Sequence, residues 1–142
     1  MIIVQAQPYK GKVIALLAAE KLPVEDLPVS LVDFIVAIEN TAIIGAAGLE
    51  IYGKTGLLRS LVVSPEHRNR GIAGKLLQRI EAIAALKLVT ELYLLTETAP
   101  NYFEQKGYRK IIRSEVPTEV QASSEVSHVC PVSAVVMKKT LK

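Results

Sequence analysis

The chain has 142 residues, half of them hydrophobic, and a formal net charge of +3. This length suits one domain, residues 1–142, around one core. No apolar run reaches the roughly 18 residues of a membrane-spanning helix, so we expect no membrane contact. The start, Met1–Gln5, lacks the basic region of a signal peptide. The single cysteine suits a reducing compartment, and together these features favour a cytoplasmic protein. The mild charge argues against nucleic acid as a partner.

The first half of the chain is predicted to form mainly antiparallel strands. The alternation and spacing of apolar residues predict a short strand, a helix and three further strands. These elements are Ile2–Gln5, the helix Gly11–Glu20, and the strands Asp33–Ile38, Ala42–Tyr52 and Leu57–Val63. Prolines and acidic residues make 22–28 a loop. Asn40 favours a hairpin turn because it tolerates left-handed dihedral angles.

The second half is predicted to contain a strand-helix-strand unit and a terminal hairpin. A helix over Gly71–Leu86 leads to a strand over Val89–Leu95, and a unit of this length implies a parallel crossover. The remaining predictions are a helix over Tyr102–Lys106, a strand over Tyr108–Ile112, a helical turn at 117–122 and a strand over Val132–Met137. The fold class is therefore α/β, with antiparallel N-terminal strands, a parallel βαβ crossover and helices on both faces of a mixed sheet.

A basic, glycine-containing turn, Arg68–Lys75, joins an apolar strand to the long helix. Glycine lets the backbone approach a ligand closely, and the first amides of a helix have no internal partner. Such a turn favours a phosphate or diphosphate ligand. The sequence lacks the Gly-Lys-Ser/Thr of a P-loop and the G-x-G-x-x-G of a dinucleotide site. The alternative is an ordinary strand-to-helix turn with solvated arginines.

The turn fits the pattern Arg/Gln-x-x-Gly-x-Gly/Ala through Arg68, Gly71 and Ala73. This pattern resembles the pyrophosphate loop of the GNAT superfamily of acetyl-CoA-dependent N-acetyltransferases. Neighbouring segments extend the resemblance over roughly residues 30–112: Leu58–Arg68, Leu92–Thr96 and Ala99–Tyr108. Leu95–Ala99 followed by Tyr102 and Phe103 is similar to amino-acid acetyltransferases of the N-acetylglutamate synthase type. A resemblance to the arsenic-resistance N-acetyltransferases is carried by three further segments, Gly48–Gly53, Leu57–Val63 and Cys130–Ala134.

The resemblance implies acetyl-CoA as acetyl donor and a GNAT-like single-domain fold. It implies that the backbone around Leu61 holds the pantetheine arm and that the turn holds the diphosphate. The expected donor-binding residues are Leu61, Val62, Val63, Arg68, Asn69, Arg70, Gly71, Ile72, Ala73, Gly74, Lys75, Thr96 and Phe103. The side chains of Leu61 and Val63 are expected to pack in the core, which leaves their backbone groups for the ligand.

The catalytic residues are less clear because the chain departs from the family pattern. Phe103 stands where the family usually has a tyrosine that protonates the leaving thiolate. The adjacent Tyr102 is one candidate acid, although it could instead bind substrate or pack. Leu57 stands where the amino-acid branch often has an acidic residue, which leaves Glu50 and Glu97 as candidate bases. The alternative for each glutamate is a solvated carboxylate.

Arg59 lies inside an apolar strand, where an arginine is rarely unpaired. Two interpretations are open: it binds a substrate carboxylate in bidentate fashion, or it forms an internal salt bridge, for example to Glu50. Ser60, beside it, is placed in the same predicted substrate site. Cys130, His128 and His67 show no zinc-site spacing, so no metal is expected.

The leading hypothesis is acetyl transfer to the amine of a small carboxylate-bearing molecule, an amino acid or an analogue. Arg59 favours this over acetylation of a protein N-terminus or lysine. A CoA-binding regulatory module without turnover is the third possibility, which the missing tyrosine and acid favour. A homodimer through the C-terminal strand is also expected to be possible.

Overall fold

The computed structural model describes residues 1–121 and 134–141, and these contain a sheet, four α-helices and three 3-10 turns. The strands are β1 Ile2–Gln5, β2 Phe34–Glu39, β3 Ala42–Tyr52, β4 Thr55–Val63, β5 Glu91–Thr96, β6 Arg109–Ile111 and β7 Val135–Thr140. The helices are α1 Lys10–Ala19, α2 Ile72–Leu86, α3 Pro100–Gln105 and α4 Thr118–Gln121. The 3-10 turns are Gln7–Tyr9, Pro65–His67 and Arg113–Glu115. The described helices include none that is both long and apolar enough to cross a bilayer.

The strands form one sheet in the order β1-β2-β3-β4-β5-β7-β6. Only β4 and β5 pair in parallel, and every other neighbouring pair is antiparallel. Helix α2 is the crossover between the two parallel strands, as the spacing predicted. The predicted α/β fold class is therefore confirmed.

Helices cover both faces of the sheet because the apolar residues of each strand alternate. In β2, Phe34 and Val36 join the core under α1, where Val13 and Leu17 are fully buried. The intervening β2 residues join the core on the other face, under α2. The buried residues of α2 are Ile72, Leu76, Leu77, Ile80 and Ala84. They follow helical spacing and form one apolar stripe.

Strand β4 contains a bulge at the position that matters most for the site. A single residue of β3, Ala47, lies opposite two residues of β4, Ser60 and Leu61. Ser60 has a φ of 60°, which is rare for a residue other than glycine. Because of the extra residue, Leu58 and Val63 both join the core under α2. A regular strand would place them on opposite faces.

The parallel strands β4 and β5 separate soon after they meet. Their pairing is limited to Thr55 with Glu91, Gly56 with Leu92, and Leu57 with Tyr93. From Leu58 onward the described part of β4 has no hydrogen-bonded neighbour in β5. The separation leaves a gap in the sheet at the carboxyl ends of both strands, where ligands of α/β folds bind.

Most predicted boundaries differ from those of the structure by one to three residues, among them those of β4 and β7. Strand β4 begins at Thr55 rather than Leu57 because Thr55 pairs with Tyr52 across the hairpin. The last predicted strand, Val132–Met137, begins at Val135 and continues to Thr140; residues 132–133 lie outside the described residues. That strand is paired on both sides, by β5 and β6. The homodimer through this strand stays a prediction.

Candidate active site

The gap between β4 and β5 opens into a cleft of about 820 Å³. This volume lies within the range typical of small-molecule sites. Besides the two strands, the cleft wall includes the end of α1 with the loop that follows it, and the start of α3. The lining residues are Glu20–Pro23, Leu58–Val63, Arg68, Ala73, Leu94–Ala99, Tyr102, Phe103 and Ala134.

The glycine turn lies at one end of this cleft and has an anion-binding conformation. Asn69 and Gly71 have φ values of 65° and 77°, so the backbone reverses sharply before α2. At Gly71 a side chain would be conformationally disfavoured even though the space beside it is open. Among the residues that the structure describes, no side chain caps the N-terminus of α2. The first amides of the helix are therefore left for a ligand at the positive end of its dipole.

The two arginines of the turn are paired with carboxylates. Arg68 contacts Glu20 at the end of α1, and its Nε donates to the Val63 carbonyl oxygen. Arg70 pairs with Glu39, and this hydrogen bond lowers the pKa of the Glu39 carboxyl. Both arginines thus shape the turn through ion pairs, and their charges are partly offset.

A further cation, Lys106, lies against the first turn of α2. A Cβ atom placed on Gly74 would lie 3.5 Å from Lys106 Nζ and 3.8 Å from the Tyr102 hydroxyl. Lys106 Nζ also lies 5.5 Å from the centroid of the Tyr102 ring. Within the described residues Lys106 has no hydrogen-bonded or ion-paired acidic partner. A cation at the positive end of a helix is unfavourable unless an anion is present, so Lys106 marks the turn as an anion site.

The other wall of the cleft contains a buried ionic cluster centred on Arg59. Its Nη1 and Nη2 donate to the two carboxylate oxygens of Asp26 at 2.6 and 2.8 Å. Nη1 also donates to Glu50 at 2.9 Å, and Nε to the Ser60 hydroxyl at 3.2 Å. The Glu50 carboxylate in turn accepts from the Tyr52 hydroxyl. The Arg59 side chain is completely buried.

The cluster favours one of the two interpretations open for Arg59. The internal salt bridge to Glu50 is present, and Asp26, which the sequence analysis did not single out, supplies a second and bidentate pair. Arg59 belongs to the cleft wall, but its guanidinium is engaged by Asp26 and Glu50. Binding of a substrate carboxylate by Arg59 stays a prediction and requires a change in this cluster.

Comparisons with known proteins agree with this geometry. The family model described as an acetyltransferase (GNAT) domain matches residues 30–110, more than half of the chain. The chain belongs to the GNAT acetyltransferase family. An uncharacterized N-acetyltransferase of Chlorobaculum tepidum is 32% identical over 101 residues, which cover 70% of this chain and 64% of the relative. The chain thus spans a little under two thirds of that relative's length.

Solved GNAT structures share the fold at low identity. Rv2747 of Mycobacterium tuberculosis, in complex with CoA, is 20% identical with a TM-score of 0.84, and each chain is fully covered. N-acetylglutamate synthase of Neisseria gonorrhoeae, complexed with CoA and N-acetyl-glutamate, is 18% identical with a TM-score of 0.81. That match covers 99% of this chain and 35% of the synthase. The likeness to the arsenic-resistance branch stays a prediction.

The described residues fit the CoA group that the GNAT fold implies. An uncapped helix N-terminus with an adjacent lysine suits a diphosphate, and unpaired β4 backbone suits a pantetheine arm. Of the predicted donor contacts, Leu61, Val62, Val63, Arg68, Ala73, Thr96 and Phe103 line the cleft. The other predicted contacts lie outside that lining, in the glycine turn or in the first helical turn of α2: Asn69, Arg70, Gly71, Gly74 and Lys75. The Ile72 side chain is buried in the core.

The candidate acid of this GNAT site lies in the cleft wall. Tyr102 lines the cleft, and burial raises the pKa of its phenol above the usual value of 10.0. The group therefore keeps its proton at neutral pH, as an acid must. Phe103 is buried and packs edge-on against Tyr102 and Tyr108. The Tyr102 hydroxyl also lies near Gly74 in the glycine turn. It is therefore equally placed to contact bound CoA there, in which case it would not protonate the departing sulfur.

The two candidate bases occupy different environments. Glu97 lines the cleft at the end of β5, where an acceptor amine can reach it. Glu50 is absent from the cleft lining, and its carboxylate already accepts hydrogen bonds from Arg59 and Tyr52. A base needs a lone pair directed at the substrate, so the geometry favours Glu97. Both assignments stay predictions.

Among residues 1–121 and 134–141, no three His, Cys, Asp or Glu side chains group as metal ligands. His67 instead forms a hydrogen bond to Ser64 at the start of the glycine turn. His128 and Cys130 lie outside the described residues.

We predict that Lys106→Ala weakens acetyl-CoA binding by about tenfold, because a charged contact to phosphate contributes roughly 1.5–3 kcal/mol. Calorimetry with acetyl-CoA and with S-acetylpantetheine, which lacks the phosphates, measures the effect. The loss should appear only with acetyl-CoA and should shrink at high salt.

Lys54→Ala is the matched control, since it removes the same charge from an exposed turn at the opposite end of β4. An equal loss with both ligands, or an equal effect of Lys54→Ala, would show that Lys106 does not contact phosphate.

Proposed function

We propose that this chain transfers an acetyl group from acetyl-CoA to the amine of a small carboxylate-bearing molecule, an amino acid or an analogue. The observation that carries the proposal is the buried guanidinium of Arg59, a residue that belongs to the wall of the β4–β5 cleft. Its two terminal nitrogens hold a carboxylate in the bidentate geometry that arginine uses for carboxylate ligands. A GNAT site with such a group next to the acceptor space suits an acidic acceptor.

Several parts of the chain would hold the donor. The free amides of α2 and Lys106 would bind the diphosphate, and the backbone of Leu61–Val63 would bind the pantetheine arm. When bound, acetyl-CoA supplies a thioester carbonyl already activated for attack. The protein's contribution is to fix that carbonyl beside the acceptor and to exclude water, which accounts for much of the rate of such transfers.

The acceptor amine must lose its proton before it attacks. Glu97, in the cleft wall, is the residue that would accept this proton, directly or through a water molecule. Ser60, at the β4 bulge, accepts a hydrogen bond from Arg59 Nε and so would help to orient the guanidinium. Tyr102 would donate a proton to the departing sulfur or contact the donor. Glu97 would thus take up the amine proton, and the departing sulfur would receive its proton from Tyr102 or from water.

The structural relatives support a small acidic acceptor. The solved structure of the Neisseria gonorrhoeae synthase contains N-acetyl-glutamate together with CoA, and N-acetyl-glutamate carries carboxylates. The pairing of Arg59 with Asp26 and Glu50 supports a second candidate, an acceptor without a carboxylate, such as a lysine side chain. The first experiment below separates the two.

We expect free amino acids to react and their α-amides to react tens-fold less well or worse. Losing a bidentate charged pair in a buried site typically costs about 2–5 kcal/mol. Release of free thiol from acetyl-CoA is measured over a panel of L-amino acids and the matching α-amides. Arg59→Lys should erase most of the preference while leaving acetyl-CoA affinity little changed.

Equal rates for acids and amides would contradict a carboxylate acceptor and favour the second candidate. Tight acetyl-CoA binding with no thiol release over amino acids, amines and peptides would support a CoA-binding module without turnover.

We also expect the rate to rise with pH, since only the neutral amine attacks. Glu97→Gln should lower the rate and flatten the pH profile if Glu97 is the base, whereas Glu50→Gln should act mainly on stability. The raised pKa of Tyr102 means that no loss of rate below about pH 10 should come from its ionisation. Tyr102→Phe should lower turnover if the phenol protonates the sulfur. Initial rates against pH for the three variants test these roles, and identical profiles for Glu97→Gln and wild type would exclude Glu97 as the base.

A further inference from the structure

We propose that Asp26 occupies the position that the acceptor carboxylate takes, so that the acceptor binds by displacing Asp26 from Arg59. In this account Asp26 determines acceptor specificity, because only a group that competes with a carboxylate for Arg59 can enter. The inference rests on the proposed function, and its test is arranged so that each can fail separately.

The contact between Asp26 and Arg59 has the form of a ligand contact. Both carboxylate oxygens are held, each by a different terminal nitrogen, at 2.6 and 2.8 Å. The two side chains are 0% and 7% exposed. A free carboxylate bound in the same place would use the same two donors in the same plane.

The two carboxylates bound to Arg59 differ in their attachment. Glu50 lies within β3, where it pairs with Leu57 of β4, and is also held by the Tyr52 hydroxyl. Asp26 lies in the segment between α1 and β2, which is neither helix nor strand and contributes Leu22 and Pro23 to the cleft wall. Asp26 is therefore the carboxylate that can move away when this segment shifts.

Charge prevents all three carboxylates from binding at once. Among the described residues, Asp26 and Glu50 already place two negative charges on one guanidinium. A third carboxylate in this buried place would be left without a matching cation, which is strongly unfavourable. An acceptor carboxylate can therefore bind Arg59 only as Asp26 leaves and becomes hydrated.

Displacement of Asp26 makes the protein selective for acceptors with a carboxylate, but it lowers the apparent affinity for these acceptors. An α-amide or an alkyl amine offers Arg59 no charge and leaves Asp26 in place. A free acid binds, but its apparent dissociation constant is raised by the reciprocal of the fraction of molecules in which Arg59 is released. Removing the Asp26 charge should abolish this cost.

The test compares Asp26→Asn with Glu25→Gln. The asparagine keeps the size of the side chain and lacks its charge, while Glu25 is an exposed neighbour in the same segment. In Asp26→Asn the Michaelis constant for free amino acids should fall about tenfold, as expected if about a tenth of wild-type molecules release Arg59. The constants for the α-amides and the acetyl-CoA dissociation constant should stay unchanged, and Glu25→Gln should match wild type throughout.

A second measurement uses the wild-type protein and is independent of the folding of any variant. Hydrogen exchange of the backbone amides at 22–33 is followed in the CoA complex, with and without N-acetyl-L-glutamate or its diamide, in which both carboxylates are amidated. Displacement of Asp26 predicts faster exchange in this segment with the free acid only. Slower or unchanged exchange with bound free acid would overturn the displacement.

The carboxylate-bearing acceptor and the displacement of Asp26 are contradicted by different results. If wild type prefers acids over amides but Asp26→Asn leaves the Michaelis constant unchanged or raises it, Asp26 positions Arg59 and only the exchange is wrong. If wild type treats acids and amides alike, the carboxylate acceptor itself is wrong.

Discussion

The candidate chemistry of this chain depends on the separation of two parallel strands, β4 and β5, after Leu57. Backbone groups that leave a sheet must find other partners or remain costly to bury. Here the freed edge of β4 faces a cleft instead of another strand, so an extended ligand can supply those partners. The bulge at Ser60, with its unusual φ, changes the direction of β4 at this point. The bulge and the separation together create space for a ligand without breaking the core on either face.

The buried charges of the cleft wall are the second constraint. A fully buried guanidinium is expensive, and the pairing with Asp26 and Glu50 offsets that cost. Because replacing such a cluster by apolar residues is often neutral or stabilising, its presence beside the ligand space points to a role in recognition. The phosphate end shows a related arrangement. Arg68 and Arg70 are neutralised by Glu20 and Glu39, whereas Lys106 keeps its charge for a ligand.

Local patterns made most of the fold predictable. The strand, the glycine turn and the amphipathic helix α2 are specified by neighbours in sequence, since apolar spacing and left-handed turn positions are local properties. The salt bridge from Arg59 to Glu50 was foreseen as one alternative because a charge in an apolar strand needs a partner. Asp26 was not foreseen, because it lies 33 residues away in a loop without periodicity. The approach of Lys106 to Gly74 depends likewise on how α3 packs, which no local pattern encodes.

The most direct measurement of the central claim is a crystal structure of the protein with CoA. The account predicts that the pantetheine arm runs between the separated ends of β4 and β5 and hydrogen-bonds to the backbone of Leu61 and Val63. The diphosphate should lie at the first amides of α2, within reach of Lys106 Nζ. CoA bound elsewhere, or a cleft in which β4 and β5 close together and pair beyond Leu57, would contradict the account.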